Sequence, residues 1–225
     1  MTISLGRRLV AEALGTMLLF ATVVGAGIMA VNLSGGNNGV ALIGTTIPIA
    51  AILVVIIVIF GPVSGAHFNP VVTLVVRLDG GITTRDALAY VAVQFASGAA
   101  AILITHLMFG LPPIQIGSVA RTGPGQWLSE AIATFALVMT ILGTGRFRPD
   151  IGPYAVALVI LAACWFTAST SFANPAITFA RSLTDTFCAI RPADVPMFIA
   201  AQIVGALSAR SLGHWLFGRE PAAAS

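Results

Sequence analysis

The sequence predicts an all-α integral membrane protein, and its composition carries most of that prediction. Of the 225 residues, 57% are hydrophobic and only 8% are charged, whereas a soluble domain carries roughly 25% charged residues. The mean hydropathy is +0.98. A chain this apolar has too few polar groups to cover a surface in water, so we expect it to lie in a lipid bilayer.

Six apolar segments are long enough to span that bilayer, since a span needs about 20 mostly apolar residues. The first follows Arg7 and Arg8 and is longer than the apolar core of a signal peptide, so we expect a membrane span rather than a leader. The six predicted spans are Leu9–Val31, Val40–Phe60, Ala87–Phe109, Trp127–Gly143, Tyr154–Thr170 and Val195–Phe217.

The charged residues predict the orientation of these spans. The chain has 11 arginines, no lysine and a formal net charge of +3. The arginines stand singly or in pairs, which favours membrane loops over a surface that binds nucleic acid. With the N-terminus inside, only Arg121, Arg181 and Arg191 fall outside. Cytoplasmic loops are enriched in arginine, so we expect both termini in the cytoplasm.

Two shorter apolar segments, 65–77 and 171–187, predict half-helices. Each contains an Asn-Pro pair, and Asn is a preferred N-cap whereas Pro is preferred at the first helical position. A helix that starts there has roughly 15–20 Å of length at 1.5 Å per residue, about half of a ~30 Å hydrocarbon core. Non-helical backbone at this depth is tolerated only inside protein or beside water, so we expect both segments to be re-entrant.

An internal repeat relates the two halves of the chain, 1–110 and 111–225. Three polar residues, two in spans and one at the start of a half-helix, recur in the same order in both halves. Each half has three spans, an odd number, so the second half must enter the membrane from the opposite side. We therefore expect one structural domain built as an inverted repeat, with the positive ends of the two half-helices meeting near the midplane. The matched pairs are Glu12 with Glu130, Asn69 with Asn174, and Gln94 with Gln202.

With these motifs the sequence resembles the aquaporin and aquaglyceroporin family, also called the major intrinsic proteins. The resemblance covers essentially the whole chain and rests on the two span glutamates, the two glutamines, "SGAHFNPVVTL" and the Asn-Pro-Ala of residues 174–176. It implies a right-handed bundle of six spans plus two half-helices, a pore in each subunit, a homotetramer and a bacterial inner membrane. The implied pore centre comprises Asn69, Pro70, Val71, Asn174, Pro175 and Ala176. Val71 replaces the usual Ala, so its methyl groups are expected to reshape the centre slightly.

The resemblance also implies a selectivity filter, and here the chain departs from most of the family. Carried over by spacing, the filter comprises Ile49, Ala162, Ser171 and Ile177. Water-selective members place His near the second position and Arg at the fourth. A small Ala and an aliphatic Ile predict a wider, less polar constriction. This pattern resembles the bacterial aquaglyceroporins of arsenic-resistance operons, whose implied cargo is neutral metalloid hydroxides, including arsenite and methylated arsenicals.

Arg181 has two interpretations. It can pair with Asp185 on the surface, four residues later, or it can supply the outer positive charge of the pore that Ile177 does not. The family role of the span carboxylates Glu12 and Glu130 is to accept backbone N–H groups and brace the half-helix loops, and a catalytic pair is the alternative. We expect His67 to be a structural hydrogen-bonding residue.

Other polar and sulfur side chains are expected to be structural. Gln94 and Gln202 are expected to bond loop carbonyls, and Cys164 is expected to be a small buried hydrophobe. Cys188 falls in an outer loop. Ser171 stands where mercury-sensitive relatives have Cys, so block by mercurials through that residue is not expected. No nucleophile–base set, phosphate loop or metal-ligand cluster stands out, so we expect no enzyme, cofactor or metal site.

These observations predict a passive channel of the aquaglyceroporin type for water, polyols such as glycerol, and metalloid hydroxides. Three alternatives remain: a water-selective aquaporin, a secondary transporter, and a membrane scaffold with an occluded pore. Coupled transporters usually need an ionisable residue at the midplane, where this sequence places only Asn, Pro, Val and Ala.

Overall fold

The computed structural model describes residues 3–218, within which all regular structure is helical. Six helices are long and apolar enough to cross a membrane, as the composition predicted, and two more are short. Arg219, which the orientation prediction counts as cytoplasmic, lies outside the described residues. The long helices are α1 (Leu5–Leu33), α2 (Asn38–Ser64), α4 (Thr84–Met108), α5 (Pro124–Phe147), α6 (Gly152–Phe166) and α8 (Val195–Phe217), and the short ones are α3 (Pro70–Leu78) and α7 (Pro175–Ala180).

The fifth span differs most from its prediction. The sequence predicts it over Tyr154–Thr170, but α6 ends at Phe166 because Thr167 is extended, with φ −109° and ψ 141°. The Thr167 hydroxyl donates to the Ala163 carbonyl at 2.7 Å and so satisfies one of the last carbonyls of the helix. At its other end α6 continues a 3₁₀ turn over Pro149–Ile151, which lengthens the span to 18 residues.

The helices pack as two groups that follow the two halves of the chain. α1 packs on α2 and α4, and α5 packs on α6 and α8, while α2 meets α6 between the groups. Close crossing requires small residues, because a Cβ on Gly205 of α8 would clash with the carbonyl of Ala131 in α5. We call the end where α1 begins and α8 ends the inner end, and the opposite end the outer end.

Both short helices begin at their Asn-Pro pairs, as predicted. The Asn69 side chain accepts a hydrogen bond from the Val71 N–H at 3.0 Å, and the Asn174 side chain accepts one from the Ala176 N–H at 2.9 Å. α7 stops at Ala180 and a 3₁₀ turn follows. Each pair therefore caps a helix that starts inside the bundle.

The loops that lead into these helices are strained in matching ways. Ala66 and Phe68 have φ of 50° and 48°, and Ser171 and Ala173 have φ of 51° and 48°. Residues with a side chain rarely adopt this left-handed conformation, which costs about 1–3 kcal/mol each and persists only where the surroundings enforce it. The surrounding contacts that hold these loops define the candidate site.

Candidate functional site

Glu12 and Glu130 hold the two strained loops in the same way. The Glu12 carboxylate accepts hydrogen bonds from the backbone N–H groups of His67 at 2.9 Å and Phe68 at 2.7 Å. The Glu130 carboxylate accepts them from Phe172 and Ala173, both at 2.9 Å. Both glutamates are fully buried. Backbone donors that would be orphaned in the loops are thus satisfied by a carboxylate from the neighbouring span.

A glutamine completes each of these networks. Gln94 donates to Glu12 at 2.9 Å and to the Thr73 hydroxyl at 3.1 Å, whereas Gln202 donates to Glu130 at 2.6 Å and to the Thr178 hydroxyl at 2.8 Å. The expectation that these glutamines bond loop carbonyls is wrong. A carboxylate is a stronger hydrogen-bond acceptor than a backbone carbonyl.

His67 takes part in the first network through its ring. Its Nδ1 lies 3.1 Å from the Thr73 hydroxyl, while its backbone N–H is bound by Glu12. The ring also lines the central cavity. His67 and Gln94 therefore both hydrogen-bond to the hydroxyl of Thr73 in α3.

Asn69 and Asn174 come together at the centre of the bundle. The Asn69 side-chain N–H donates to the Ala173 carbonyl at 2.8 Å, and that of Asn174 donates to the Phe68 carbonyl at 2.9 Å. Each amide nitrogen carries two hydrogens, and only one of them has a protein acceptor among residues 3–218. The two residues line one cavity, so each amide has one donor left that can bind a solute there.

This cavity has a volume of about 920 Å³ and reaches from Arg121 and Phe187 at the outer end to Asp150 at the inner end. Its wall is formed by residues of α1, α2, α3, α5, α6 and α7 together with the two strained loops. Most of the wall is aliphatic, including Leu19 and Leu53. Polar groups therefore meet the interior at few positions.

Three of the four predicted filter residues line the cavity, namely Ile49, Ser171 and Ile177. The assignment of Ala162 is wrong, because this residue is exposed on the outer surface of α6. Cys164, which is only 5% exposed, lines the cavity in its place. The cause is geometric. α6 turns Val156, Ile160 and Cys164 inward at intervals of four residues, so the wall residue lies 10 rather than 12 positions before Asn174.

The other four predicted centre residues lie behind the wall. Pro70, Val71, Pro175 and Ala176 are buried and are not among the residues that line the cavity. Val71 packs instead against a cluster that includes Val138 of α5 and residues of α8. The expectation that its methyl groups reshape the centre is therefore wrong, because they point away from it.

Arg181 lies in the cavity wall rather than on the surface. Its side chain is 6% exposed, its Nε donates to the Cys188 carbonyl, and its guanidinium carbon lies 3.3 Å from the centroid of the Phe172 ring. Asp185 instead accepts hydrogen bonds from the backbone and hydroxyl of Ser118, at 2.9 and 2.7 Å. The surface-pair interpretation of Arg181 is wrong.

A second arginine of the wall is Arg121, which no motif in the sequence identifies as a pore residue. Its Nε donates to the Ala189 carbonyl at 2.8 Å and its Nη1 to the Ser169 carbonyl at 3.2 Å. Its guanidinium carbon lies 5.1 Å from the centroid of the Phe172 ring, which Arg181 also contacts. Burial lowers the pKa of Arg121 from its ordinary value, because desolvation penalises the charged form.

The outer loop between α4 and α5 brings Arg121 to this position. It runs across the segment that follows α7, with Gly117 N–H donating to the Ser182 carbonyl at 2.9 Å and Arg191 N–H donating to the Val119 carbonyl at 2.8 Å. Gly117 allows this close approach, since a Cβ there would clash with the Ile190 carbonyl. A single arginine in a loop gives no sign of such a path.

Known proteins share both the sequence and the fold. The chain matches the family described as Major intrinsic protein over residues 1–152 and 149–222. It is 55% identical to aquaglyceroporin AqpS of Rhizobium meliloti (strain 1021) over 94% of this chain and 91% of that protein. It is 31% identical to aquaporin NIP1-3 of Oryza sativa subsp. japonica over 96% of this chain and 74% of that protein.

A solved structure extends the comparison to three dimensions. The aquaglyceroporin from Plasmodium falciparum matches with a TM-score of 0.69 over 93% of this chain and 95% of that chain, at 19% sequence identity. At this identity the match concerns the fold. Together with the family match over nearly the whole sequence, it establishes that this multi-pass membrane protein belongs to the major intrinsic protein family.

Proposed function

We propose that the protein is a passive transmembrane channel for small neutral solutes such as glycerol and water. The observation that carries this proposal is the cavity of about 920 Å³ that reaches both ends of the bundle and is lined at its centre by Asn69 and Asn174. The free amide donors can replace hydrogen bonds that a hydroxylated solute loses on leaving water. The aliphatic wall elsewhere holds such a solute only weakly, as rapid passage requires.

The constriction is proposed to be of the aquaglyceroporin type. Ile49, Cys164, Ser171 and Ile177 offer one hydroxyl and three apolar side chains, so they favour solutes with carbon or metalloid centres over single-file water. Neutral metalloid hydroxides, arsenite and methylated arsenicals among them, fit the same description. The 55% identity to a protein named an aquaglyceroporin supports this choice over a water-selective pore.

The channel is proposed to exclude cations by charge. Arg121 and Arg181 line its outer end, and neither side chain forms an ion pair among residues 3–218. The outer positive charge, one of the two interpretations of Arg181, is thus assigned to two arginines. A cation entering this apolar conduit meets like charge in a medium of low dielectric constant, where repulsion is strong.

The contacts of the buried carboxylates count against a coupled transporter and against an enzyme. Glu12 and Glu130 are bound to backbone N–H groups and a glutamine, so neither is free to bind a coupling ion or to transfer a proton to a substrate. The size of the cavity counts against an occluded scaffold. We propose that the protein forms a homotetramer in a bacterial inner membrane, with repeats 1–110 and 111–225 and both termini cytoplasmic.

A permeability panel in proteoliposomes tests the proposed solute class. Stopped-flow light scattering with glycerol, urea and water, and uptake assays with arsenite and methylarsenite, are expected to show glycerol and at least one metalloid passing well above protein-free vesicles. A profile restricted to water would overturn the aquaglyceroporin assignment and favour a water-selective pore. No flux of any solute would favour the scaffold.

A further inference from the structure

Two arginine side chains, Arg121 and Arg181, face the outer end of the cavity without a carboxylate partner. We propose that together with Ser171 they form a binding site for a small monovalent oxyanion of the carboxylate class. The site goes beyond the proposed conduction of neutral solutes and depends on the proposed channel only for access from outside.

The hydrogen-bond donors of these residues are incompletely used. Within residues 3–218 the Arg181 side chain donates only through Nε, to the Cys188 carbonyl, so neither of its terminal nitrogens has a protein acceptor. Arg121 keeps Nη2 free, since only its Nε and Nη1 are bonded. The Ser171 hydroxyl is buried and has no hydrogen-bond partner among the described residues. All three residues line the same cavity.

Neither arginine forms an ion pair among residues 3–218, because the nearby carboxylates have other partners. The buried Glu130 carboxylate is held by the backbone N–H groups of its loop and by Gln202. Asp185 accepts from Ser118. Asp194 accepts from the Arg191 side chain and from the backbone N–H of Arg121, both at 2.9 Å. Two guanidinium groups in an apolar wall without a counter-charge are unfavourable. A small anion between them supplies that charge.

The Phe172 ring fixes the positions of the two guanidinium groups. Their central carbons lie 3.3 and 5.1 Å from its centroid, within the range of cation–π contacts. Nε of each arginine is also tied to a backbone carbonyl. A preorganised pair of guanidinium groups loses little conformational entropy on binding, so we expect affinity for an anion and not only a diffuse positive field.

The surroundings select the class of anion. The guanidinium fork matches the two oxygens of a carboxylate or similar oxyanion, and the unpartnered Ser171 hydroxyl adds a further donor. The apolar side chains of Ile177 and Cys164 line the same cavity, so a strongly hydrated divalent ion would lose more solvation than the site returns. A monovalent carboxylate with a small apolar body, such as acetate, fits best.

Saturation-transfer NMR on the purified full-length protein in nanodiscs tests the site, with acetate as the probe. We expect a saturable acetate signal that formate displaces and that is absent from empty nanodiscs. Tetramethylammonium, which also carries a methyl reporter but has the opposite charge, is expected to give no signal. No acetate signal, or an equal signal from tetramethylammonium, would overturn the proposal.

Variants assign the signal to the arginines. Arg181→Gln and Arg121→Gln are each expected to weaken acetate binding about 10-fold or more, as expected for loss of a charge-assisted hydrogen bond. Arg181→Lys keeps the charge but not the fork and is expected to be intermediate, which provides a test even if a Gln variant does not fold. Arg85→Gln removes an exposed arginine and is the matched control. Wild-type affinity in all the Arg121 and Arg181 variants would contradict the assignment.

Glycerol flux through the same protein separates this inference from the proposed function. Acetate binding without glycerol flux would sustain the anion site and refute the channel. Glycerol flux without acetate binding would support the channel and refute the anion site.

Discussion

Asn69 and Asn174 each donate a hydrogen bond across the centre of the bundle, to the backbone of the loop that leads into the other's helix. The two contacts, at 2.8 and 2.9 Å, tie the tips of α3 and α7 together. They also orient the remaining amide donors towards the cavity. The geometry of the centre therefore depends on both halves of the chain at once.

The carboxylate braces are expected to be essential for stability. In Glu130→Gln one acceptor oxygen becomes an N–H donor that faces the backbone N–H of either Phe172 or Ala173, and a buried N–H left without an acceptor costs about 1–3 kcal/mol. We expect a clear fall in melting temperature in detergent and loss of glycerol flux. Ser129→Ala on the same helix is the control, since it removes only one exposed acceptor, that of the Ala168 N–H. Wild-type stability in Glu130→Gln would contradict the bracing role.

Cys164 is expected to make the channel sensitive to mercurials. Its thiol belongs to a residue of the cavity wall at the constriction, so a bulky organomercurial bound there should block glycerol flux. Cys164→Ser should abolish the block. Cys188 also lines the cavity, but its thiol is bonded to the Val23 carbonyl at 3.3 Å and packed against Gly27, so Cys188→Ser should retain the block. Persistence of the block in Cys164→Ser would show that another residue reacts.

Ile177 is expected to set the width of the constriction. Ile177→Arg places a long charged side chain among the residues of the filter, so glycerol permeability should fall about 10-fold or more, which corresponds to ~1.4 kcal/mol in the barrier. Water permeability should fall much less. Ile177→Val is the control and should keep both permeabilities. Equal loss of both in Ile177→Arg would indicate a collapsed pore rather than altered selectivity.

Arg181 is expected to keep cations out. Arg181→Ala removes one of the two charges of the outer end, and proton and sodium leak in proteoliposomes should rise above wild type. Arg85→Ala, which removes an exposed arginine at the inner end, should not leak. Unchanged leak in Arg181→Ala would remove this role from Arg181.

Gly117 is expected to be required for the outer loop that carries Arg121. A Cβ at this position clashes with the Ile190 carbonyl, and overpacking of this kind typically costs about 1–3 kcal/mol. Gly117→Ala should lower the melting temperature. Gly125→Ala is the control, because nothing lies within 4 Å of its added Cβ. Equal melting temperatures for the two variants would contradict this account of the loop.

The sequence was sufficient for the parts of the fold that depend on local chemistry. Apolar length predicted the six spans, and the capping preferences of Asn and Pro predicted the starts of α3 and α7. The matched positions of the glutamates and glutamines correctly identified the members of the two hydrogen-bond networks. The glutamines donate to carboxylates and hydroxyls in these networks, however, and not to loop carbonyls.

The errors arose where the path of a loop decides the outcome. The family spacing places this wall residue 12 positions before Asn174, at Ala162. The loop after α6 is shorter than that spacing requires, so Cys164, 10 positions before Asn174, lies in the wall instead. The position of Arg121 depends on hydrogen bonds to residues 48 to 73 positions further along the chain, and a single sequence does not show such contacts. Val71 lies two residues after Asn69 in the chain, yet its side chain packs against α5 and α8 rather than into the cavity.

The gradient dependence of glycerol flux in proteoliposomes tests the central claim most directly, namely that an open conduit passes between Asn69 and Asn174. The initial rate is expected to rise in proportion to the glycerol gradient, without saturation and independently of ion gradients. A rate that saturates or requires an ion gradient would contradict the channel, and so would a rate no higher than that of protein-free vesicles.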